Sequence, residues 1–347
     1  MELLANLYSI HSTSGCEKKI KRFIKRHVLS VCPDVEIEYD NAGNMYLTKG
    51  KSETYPCIVA HLDQVQRRHS SDFQVVMSED IICAFSPSKK MQQGLGADDK
   101  NGLWIALKCL EKYDVLKVAF FVSEEIGCVG SSYANMSFFN DARFVIEPDR
   151  RGSSDLITNI GYTQLCSTEF LMDIGYEAFG YKPTNGMMTD VMTLKENGLG
   201  VSCINISCGY YEPHTDNEFT CIPDLMNALR FVENIIETCT KLYPHEDTYV
   251  RNFYASSQKY NGLSNNLGAN NRFMWDDTEP GYERSNDDIE PLKFSDYMYV
   301  EDYIDDLIAR NPMKSVDKLW DYASSELEAI GVSYHEFCEL ANELDTY

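Results

Sequence analysis

No run in the sequence approaches about 18 uninterrupted apolar residues, so no segment reads as a transmembrane helix. The opening residues, Met1-Glu2-Leu3-Leu4-Ala5-Asn6-Leu7, lack the basic stretch and apolar run of a secretory leader, and a cytoplasmic location is expected. Basic residues are in short supply, with 31 Lys and Arg against 54 Asp and Glu and a formal net charge of −23. That balance argues against nucleic acid and anionic membrane as partners of the surface as a whole. Cys-x-x-Cys pairs are missing as well. The 12 Cys are scattered, and Cys57, Cys83, Cys109 and Cys203 lie inside apolar runs. This spacing excludes a disulfide framework and a thiolate zinc site, and reads as small buried side chains in a reducing compartment. Metal chemistry, if present, must come from oxygen and imidazole. No internal repeat is present.

What is there is ample for a core: 347 residues, 44% of them hydrophobic, including 22 Tyr, enough for one large domain or two ordinary ones. Helices are expected over residues 1–14 and 15–30, the second with a capping box at Ser14-x-x-Glu17 and an apolar face of Ile20, Phe23, Ile24 and Val28. His11 and His27 fall here and read as structural or exposed. Residues 35–39 and 45–48, and again 73–77 and 81–85, have the pattern of hairpins. Four continuous apolar runs, of the kind found in strands buried on both faces, end in polar clusters. Residues 57–60 lead into His61-Leu62-Asp63, and 118–122 into Ser123-Glu124-Glu125. Residues 143–146 lead into Glu147-Pro148-Asp149, and 201–206 into Gly209-Tyr210-Tyr211-Glu212-Pro213-His214. Helical segments between them, with a closing helix over 223–243, give an α/β fold: a mixed central sheet with helices on both faces. Ligands of such sheets bind beyond the carboxyl ends of the strands, where each cluster sits.

The densest cluster is Gly94-Leu95-Gly96-Ala97-Asp98-Asp99-Lys100-Asn101-Gly102, two adjacent carboxylates between glycines ahead of a helix. Neighbouring carboxylates repel unless a cation neutralises one of them, although an acidic helix N-terminus alone would explain the pair. His61 with Asp63 suits a metal-bound imidazole oriented by a carboxylate. Glu124-Glu125 suits one ligand and one proton shuttle, or a solvated acidic turn. Together His61, Asp98, Glu125, Asp149 and His214 suit two divalent ions bridged by Asp98. The donor types favour two Zn²⁺ and also accommodate Mn²⁺ or Co²⁺.

These motifs resemble the co-catalytic zinc peptidases, M20 group, peptidase T-like branch. They are His61-x-Asp63, Gly96-Ala97-Asp98-Asp99-Lys100-x-Gly102, Glu124-Glu125-x-Gly127, Asp149 and Gly209-Tyr210…His214…Glu218-Phe219. The resemblance spans roughly residues 1–243 and implies a zinc exopeptidase/phosphorylase-hydrolase-like fold. It implies that His61, Asp98 and Asp149 hold one zinc and Asp98, Glu125 and His214 the other, with Asp63 orienting His61. It also implies a cis Asp98–Asp99 peptide and Glu124 as general base. Asp149 takes the third-strand position in preference to Glu147. Only 64 residues lie between Asp149 and His214, which implies a lidless, M28-like single-domain layout. The peptidase T arginine is absent from Pro183-Thr184-Asn185-Gly186-Met187-Met188-Thr189-Asp190, and oxyanion stabilisation falls to Tyr210, Tyr211 or the Asn185 region.

The expected organisation is a catalytic domain over 1–244 and an acidic, partly helical extension over 245–347. Residues 260–347 carry 20 Asp and Glu against six Lys and Arg. That extension is a candidate surface for a protein partner or self-association. The function implied is a dinuclear zinc exopeptidase, of aminopeptidase or tripeptidase type, acting on short peptides. A deacylase of N-acyl amino acids, or a retired peptidase core serving in assembly, remain open beside it.

Overall fold

The computed structural model describes residues 1–66, 69–246 and, towards the C terminus, 300, 303–304, 307–308 and 315–344. The chain divides into two compact units, Met1–Asn261 and Gly262–Tyr347.

The first unit is built on a nine-stranded mixed sheet. Its strands include β1 (Glu36–Tyr39), β2 (Met45–Lys49), β3 (Tyr55–His61), β7 (Leu116–Phe121), β8 (Ala142–Arg150) and β12 (Cys203–Ser207). The order is β1-β2-β7-β3-β8-β12-β9-β10, with β9 at Asp155–Ile160, β10 at Thr163–Gln164 and β11 (Lys182–Gly186) also pairing β9. The central quartet β7-β3-β8-β12 is parallel, so its carboxyl ends emerge along one edge. All seven residues of β3 are buried, and so are all six of β7. The two-residue alternation of a strand divides them between two cores. Ile58, Ala60, Val118, Phe120, Phe144 and Ile146 join the larger core, with α1 (Glu2–Ser9), α2 (Lys18–Val31), α3 (Ala97–Lys112) and α7 (Ile222–Thr238). Cys57, Val59, Ala119, Phe121 and Val145 face the opposite side, against Val191 and Leu194 of α6 (Asp190–Glu196). Each such Val, Ile or Phe contributes about 1.5–3 kcal/mol of transfer free energy, which is what pins the strand tips in place.

A second, antiparallel five-stranded sheet, β13-β14-β5-β4 with β6 on β5, lies at the site end of the fold. It comprises β4 (Gln74–Met77), β5 (Ile81–Ser86), β6 (Met91–Gln93), β13 (Tyr210–Tyr211) and β14 (Phe219–Cys221). Two short α-helices, α4 (Val129–Ser132) and α5 (Thr168–Asp173), also lie among the described residues of this unit.

Several sequence expectations are corrected. The first helix ends at Ser9 rather than residue 14, and the closing helix ends at Thr238 rather than 243. After Thr238 the chain turns extended, and Ser202 N donates to Tyr243 O. The capping box does not form. Glu17 is itself the N-cap residue of α2, its carboxylate accepts from Gly15 N and Ser123 N, and Ser14 Oγ donates to Asp63 instead.

The second unit has its own apolar cluster, with Leu319, Ala323 and Leu327 of the helix Val316–Ala329 and Phe337 and Ala341 of the helix Tyr334–Leu344. These helices agree with the helical character expected after residue 295. The Asn/Gly-rich stretch 261–271 and the acidic stretch 276–290 lie outside the described residues. Among the described residues no helix is long and apolar enough to cross a membrane.

Candidate metal centre

The parallel strands deliver their clusters to one place. His61 is the last residue of β3, Asp149 the last but one of β8, and Glu124 and Glu125 follow β7. Asp98 opens α3 after Gly96, which adopts a left-handed conformation (φ +68°) where a side chain would press on the Gln64 amide. His214 comes from the loop between β13 and β14 rather than directly from β12, so the second sheet supplies the fifth ligand. The Asp98–Asp99 peptide is cis.

Asp98 lies at the centre. Its Oδ1 stands 3.1 Å from His61 Nε2 and its Oδ2 3.2 Å from His214 Nε2. His61 Nε2 is also 3.7 Å from Asp149 Oδ1, and His214 Nε2 is 3.1 Å from Glu125 Oε2. Two clusters result, His61–Asp98–Asp149 and Asp98–Glu125–His214, each with candidate ligand atoms within 4.8 Å of one another. Asp98 is common to both. The other Glu125 oxygen, Oε1, is buried with no hydrogen-bond partner. Such an atom is costly unless something positive meets it. Two imidazoles and three carboxylates, one of them carrying this orphaned oxygen, fit a pair of divalent cations.

Asp63 organises the surroundings. Its Oδ1 lies 3.4 Å from His61 Nδ1 and accepts from Glu124 N at 2.9 Å, while its Oδ2 accepts from Glu125 N and Ser14 Oγ at 3.2 and 2.6 Å. The Asp63 backbone carbonyl meets His61 Nδ1 at 3.0 Å, so main chain and carboxylate together fix the His61 ring while the carboxylate also holds the Glu124-Glu125 turn. Asp99 accepts from Gly102 N at 2.9 Å and from His61 N at 3.3 Å, which ties the start of α3 to the end of β3. Glu147, the rival to Asp149, is committed elsewhere: it accepts from Thr189 Oγ1, Asp190 N and Val191 N, which caps the start of α6.

Burial raises the pKa of Glu125 to about 7 and also raises Glu124 and Asp149. Burial acts the same way on Asp98, but hydrogen bonds to His214 and His61 outweigh it and hold Asp98 well below the carboxylate range. Hydrogen bonds to Asp98 and Glu125 raise His214 to about 10. Burial opposes charge on His61, yet Asp149, Asp63 and Asp98 overcome it and lift its pKa well above the ordinary value.

Glu218, near the end of the Gly209-Tyr210…His214…Glu218-Phe219 motif, is a positioning residue. Fully buried, it accepts from Gly96 N, Ala97 N and Asp98 N at 2.6, 3.1 and 3.1 Å and holds the glycine loop against the centre. The only hint was its place four residues after His214. Of the oxyanion candidates, Tyr210 borders the site and its hydroxyl donates to Asp149 Oδ1 at 3.3 Å. Tyr211 is engaged with Asp224 at 2.6 Å, and Asn185 is exposed on β11. His27 pairs with Glu111 and His11 with the Gln66 carbonyl, both away from the centre.

The centre opens into a cleft of about 440 Å³, whose walls include Arg150, Arg151, Ile157, Met187, Met188, Thr189 and Tyr210.

No family model matches the chain. Among solved structures, it is similar to the aminopeptidase PepT from Bacillus cereus ATCC 10987, with a TM-score of 0.57 and 14% identity over 69% of this chain and 98% of that one. It is also similar to a tripeptidase from Staphylococcus aureus, at TM-score 0.55 and 14% identity over 68% and 96%. The Pyrococcus horikoshii TET1 peptidase, described as assembling into a tetrahedron or a large octahedral shell, matches at TM-score 0.50 and 13% identity over 68% and 98%. The fold is therefore that of aminopeptidases and tripeptidases, with a mixed sheet between helical layers. The candidate metal clusters lie at the carboxyl edge of that sheet.

Proposed function

We propose that this protein is a dinuclear metal-dependent exopeptidase that hydrolyses short peptides from the N terminus. The reading includes a peptidase T-like centre in a lidless catalytic domain over 1–244. One observation carries it: the two oxygens of Asp98 face two different imidazoles, His61 and His214. His61, Asp98 and Asp149 would hold one ion, and Asp98, Glu125 and His214 the other, with zinc favoured by the donor types. Such ions, when bound, would supply Lewis-acid chemistry towards a carbonyl and a more acidic water at neutral pH.

The chain's own groups do the rest. Glu124 borders the cleft with a pKa raised chiefly by burial, as suits a base that takes a proton from water and passes it to the leaving amine. Asp63 holds the Glu124 amide, so this carboxylate is aimed from a fixed backbone. Of the three oxyanion candidates, Tyr210 is the one that borders the cleft. The acidic extension over 245–347 would serve a protein partner or self-association.

The test combines metal analysis of purified protein with a panel of aminoacyl amides, di- and tripeptides and N-acetyl amino acids. The expected result is two metal ions per chain and cleavage of the peptides, abolished by a chelator and restored by zinc, manganese or cobalt. Turnover of N-acetyl amino acids alone would replace the reading with a deacylase. Two bound ions without turnover of anything would make the core a retired one.

A further inference from the structure

The carboxylates bordering the cleft (Asp98, Glu124, Glu125 and Asp149) all belong to the metal clusters or stand beside them, and on the cation side the cleft is bordered by His214 and by Arg150 and Arg151. The two arginines differ. Arg150 is half-buried and its Nε is paired with Asp155 Oδ2 at 3.3 Å. The exposed side chain of Arg151 has no hydrogen-bond or ion-pair partner among the described residues.

The Arg151 backbone is firmly held. Ser207 Oγ donates to its carbonyl at 2.8 Å and accepts from Asp155 N at 3.0 Å. Gly152 N donates to Tyr210 O at 2.8 Å, and Gly209 N donates to Gly152 O at 2.9 Å. The turn leaving β8, two residues past Asp149, is thereby tied to both β12 and β13. A fixed backbone with an unengaged guanidinium on a cleft wall presents a planar, two-pronged donor whose complement is a carboxylate. Met187 and Met188, 74% and 64% exposed, stand on the wall of the same cleft and offer an adaptable apolar surface.

We infer that Arg151 is a specificity-determining residue that binds a carboxylate of the substrate, while Met187 and Met188 receive an apolar side chain. This inference rests on the exopeptidase reading and narrows its substrates to peptides carrying an anion within reach of the metal centre. A cleft of about 440 Å³ makes those substrates short. Two sources supply the same chemistry, the free C-terminal carboxylate of a short peptide and an acidic side chain.

The experiment compares the metal-loaded wild type with Arg151→Ala and Arg151→Lys on three peptides of one length. These are a neutral tripeptide free acid, its C-terminal amide, and an amidated peptide with a Glu side chain at the last position. Calorimetric binding of analogues with a reduced scissile bond is measured alongside kcat/KM. In wild type, a carboxylate-bearing peptide is expected to exceed the neutral amide roughly 10- to 100-fold in both measurements. That ratio should collapse towards one in Arg151→Ala and return in part in Arg151→Lys. Preference for the free acid alone assigns the terminal carboxylate, and preference for the Glu peptide alone assigns the side chain. A ratio that is the same in wild type and Arg151→Ala overturns the inference and leaves the peptidase reading standing, because the wild type still cleaves. Failure of the wild type to cleave any peptide removes that reading, and calorimetry still decides whether Arg151 selects a carboxylate.

Discussion

Asp63 makes more directed contacts than most of the ligands it supports, reaching His61, the amides of Glu124 and Glu125, and Ser14. Asp63→Asn keeps the shape and removes the charge. It is expected to weaken metal binding roughly 10- to 100-fold in a chelator competition, with the fold intact by circular dichroism. Glu124→Gln separates the two glutamates. It should lower kcat by roughly 10²- to 10⁴-fold while metal content stays at the wild-type level, because Glu125 is the one that faces His214. The buried carboxyls also fix a pH dependence. Burial raises Glu125, Glu147 and Glu218 to about 7 from an ordinary 4.5. Between those values the folded chain binds more protons than the unfolded one, so stability falls as pH rises. The raised His61 and His214 add in the same sense, their contribution being complete below 6.5 and lost as pH rises, for His214 through about 10. The depressed Asp63 and Asp98 act only at the acid end, their contribution lost as pH falls below 3.8. Burial lowers His69 to about 2 and Lys100 to about 7, which opposes this trend up to pH 6.5 and above pH 7. The more numerous raised groups prevail, so thermal midpoints measured in a chelator should fall from pH 5 to pH 8.

At the scale of elements, the strand tips were legible because a strand buried on both faces has to be apolar throughout. The first polar residue after it then marks the exit. That logic marked the clusters beginning at His61, Ser123 and Glu147, whereas the preference for Asp149 over Glu147 came from the resemblance to the zinc peptidases. The route to His214 was not legible, because β13 and β14 are two and three residues long and carry no period of their own. The capping box failed for a similar reason: Ser14 and Glu17 have the right spacing, but tertiary partners at Asp63 and Ser123 outcompete the local bond. The region of β9 to β11 gave no usable pattern, since its strands lie near the sheet edge and are only partly covered. The glycine at the start of α3 has a reason that composition hides. A Cβ on Gly102 would come within 2.7 Å of Asp99 Cγ and closer still to both its carboxylate oxygens. Gly102→Ala should destabilise the protein by about 1–3 kcal/mol in denaturant titrations and weaken metal uptake, because Asp99 adjoins the shared ligand.

For the whole molecule, the two cores of the first unit draw on residues between Leu4 and Tyr243, and the apolar cluster of the second unit draws on residues from Tyr303 onwards. A fragment ending at residue 246 is therefore expected to fold cooperatively and retain its full metal content, checked by calorimetry and metal analysis. Loss of self-association in that fragment, read by light scattering, would assign assembly to the acidic extension. Unchanged mass would assign assembly to the catalytic unit. Net charge read from composition says little about the cleft itself, where the acidic side chains of Asp98, Glu125 and Asp149 fall in the candidate metal clusters rather than in a solvating shell.

The two halves of the centre are unequally sheltered. The side chains of His61 and Asp149 are 1% and 8% exposed, whereas that of His214 is 48% exposed and stands on a loop. An inner ion held by His61, Asp98 and Asp149 would have the more buried donor set and an outer one at His214 the more exposed, so the pair is expected to differ in residence time. Gentle dialysis would then strip the outer ion first, yielding a one-metal species whose remaining ion exchanges slowly with isotope in the buffer.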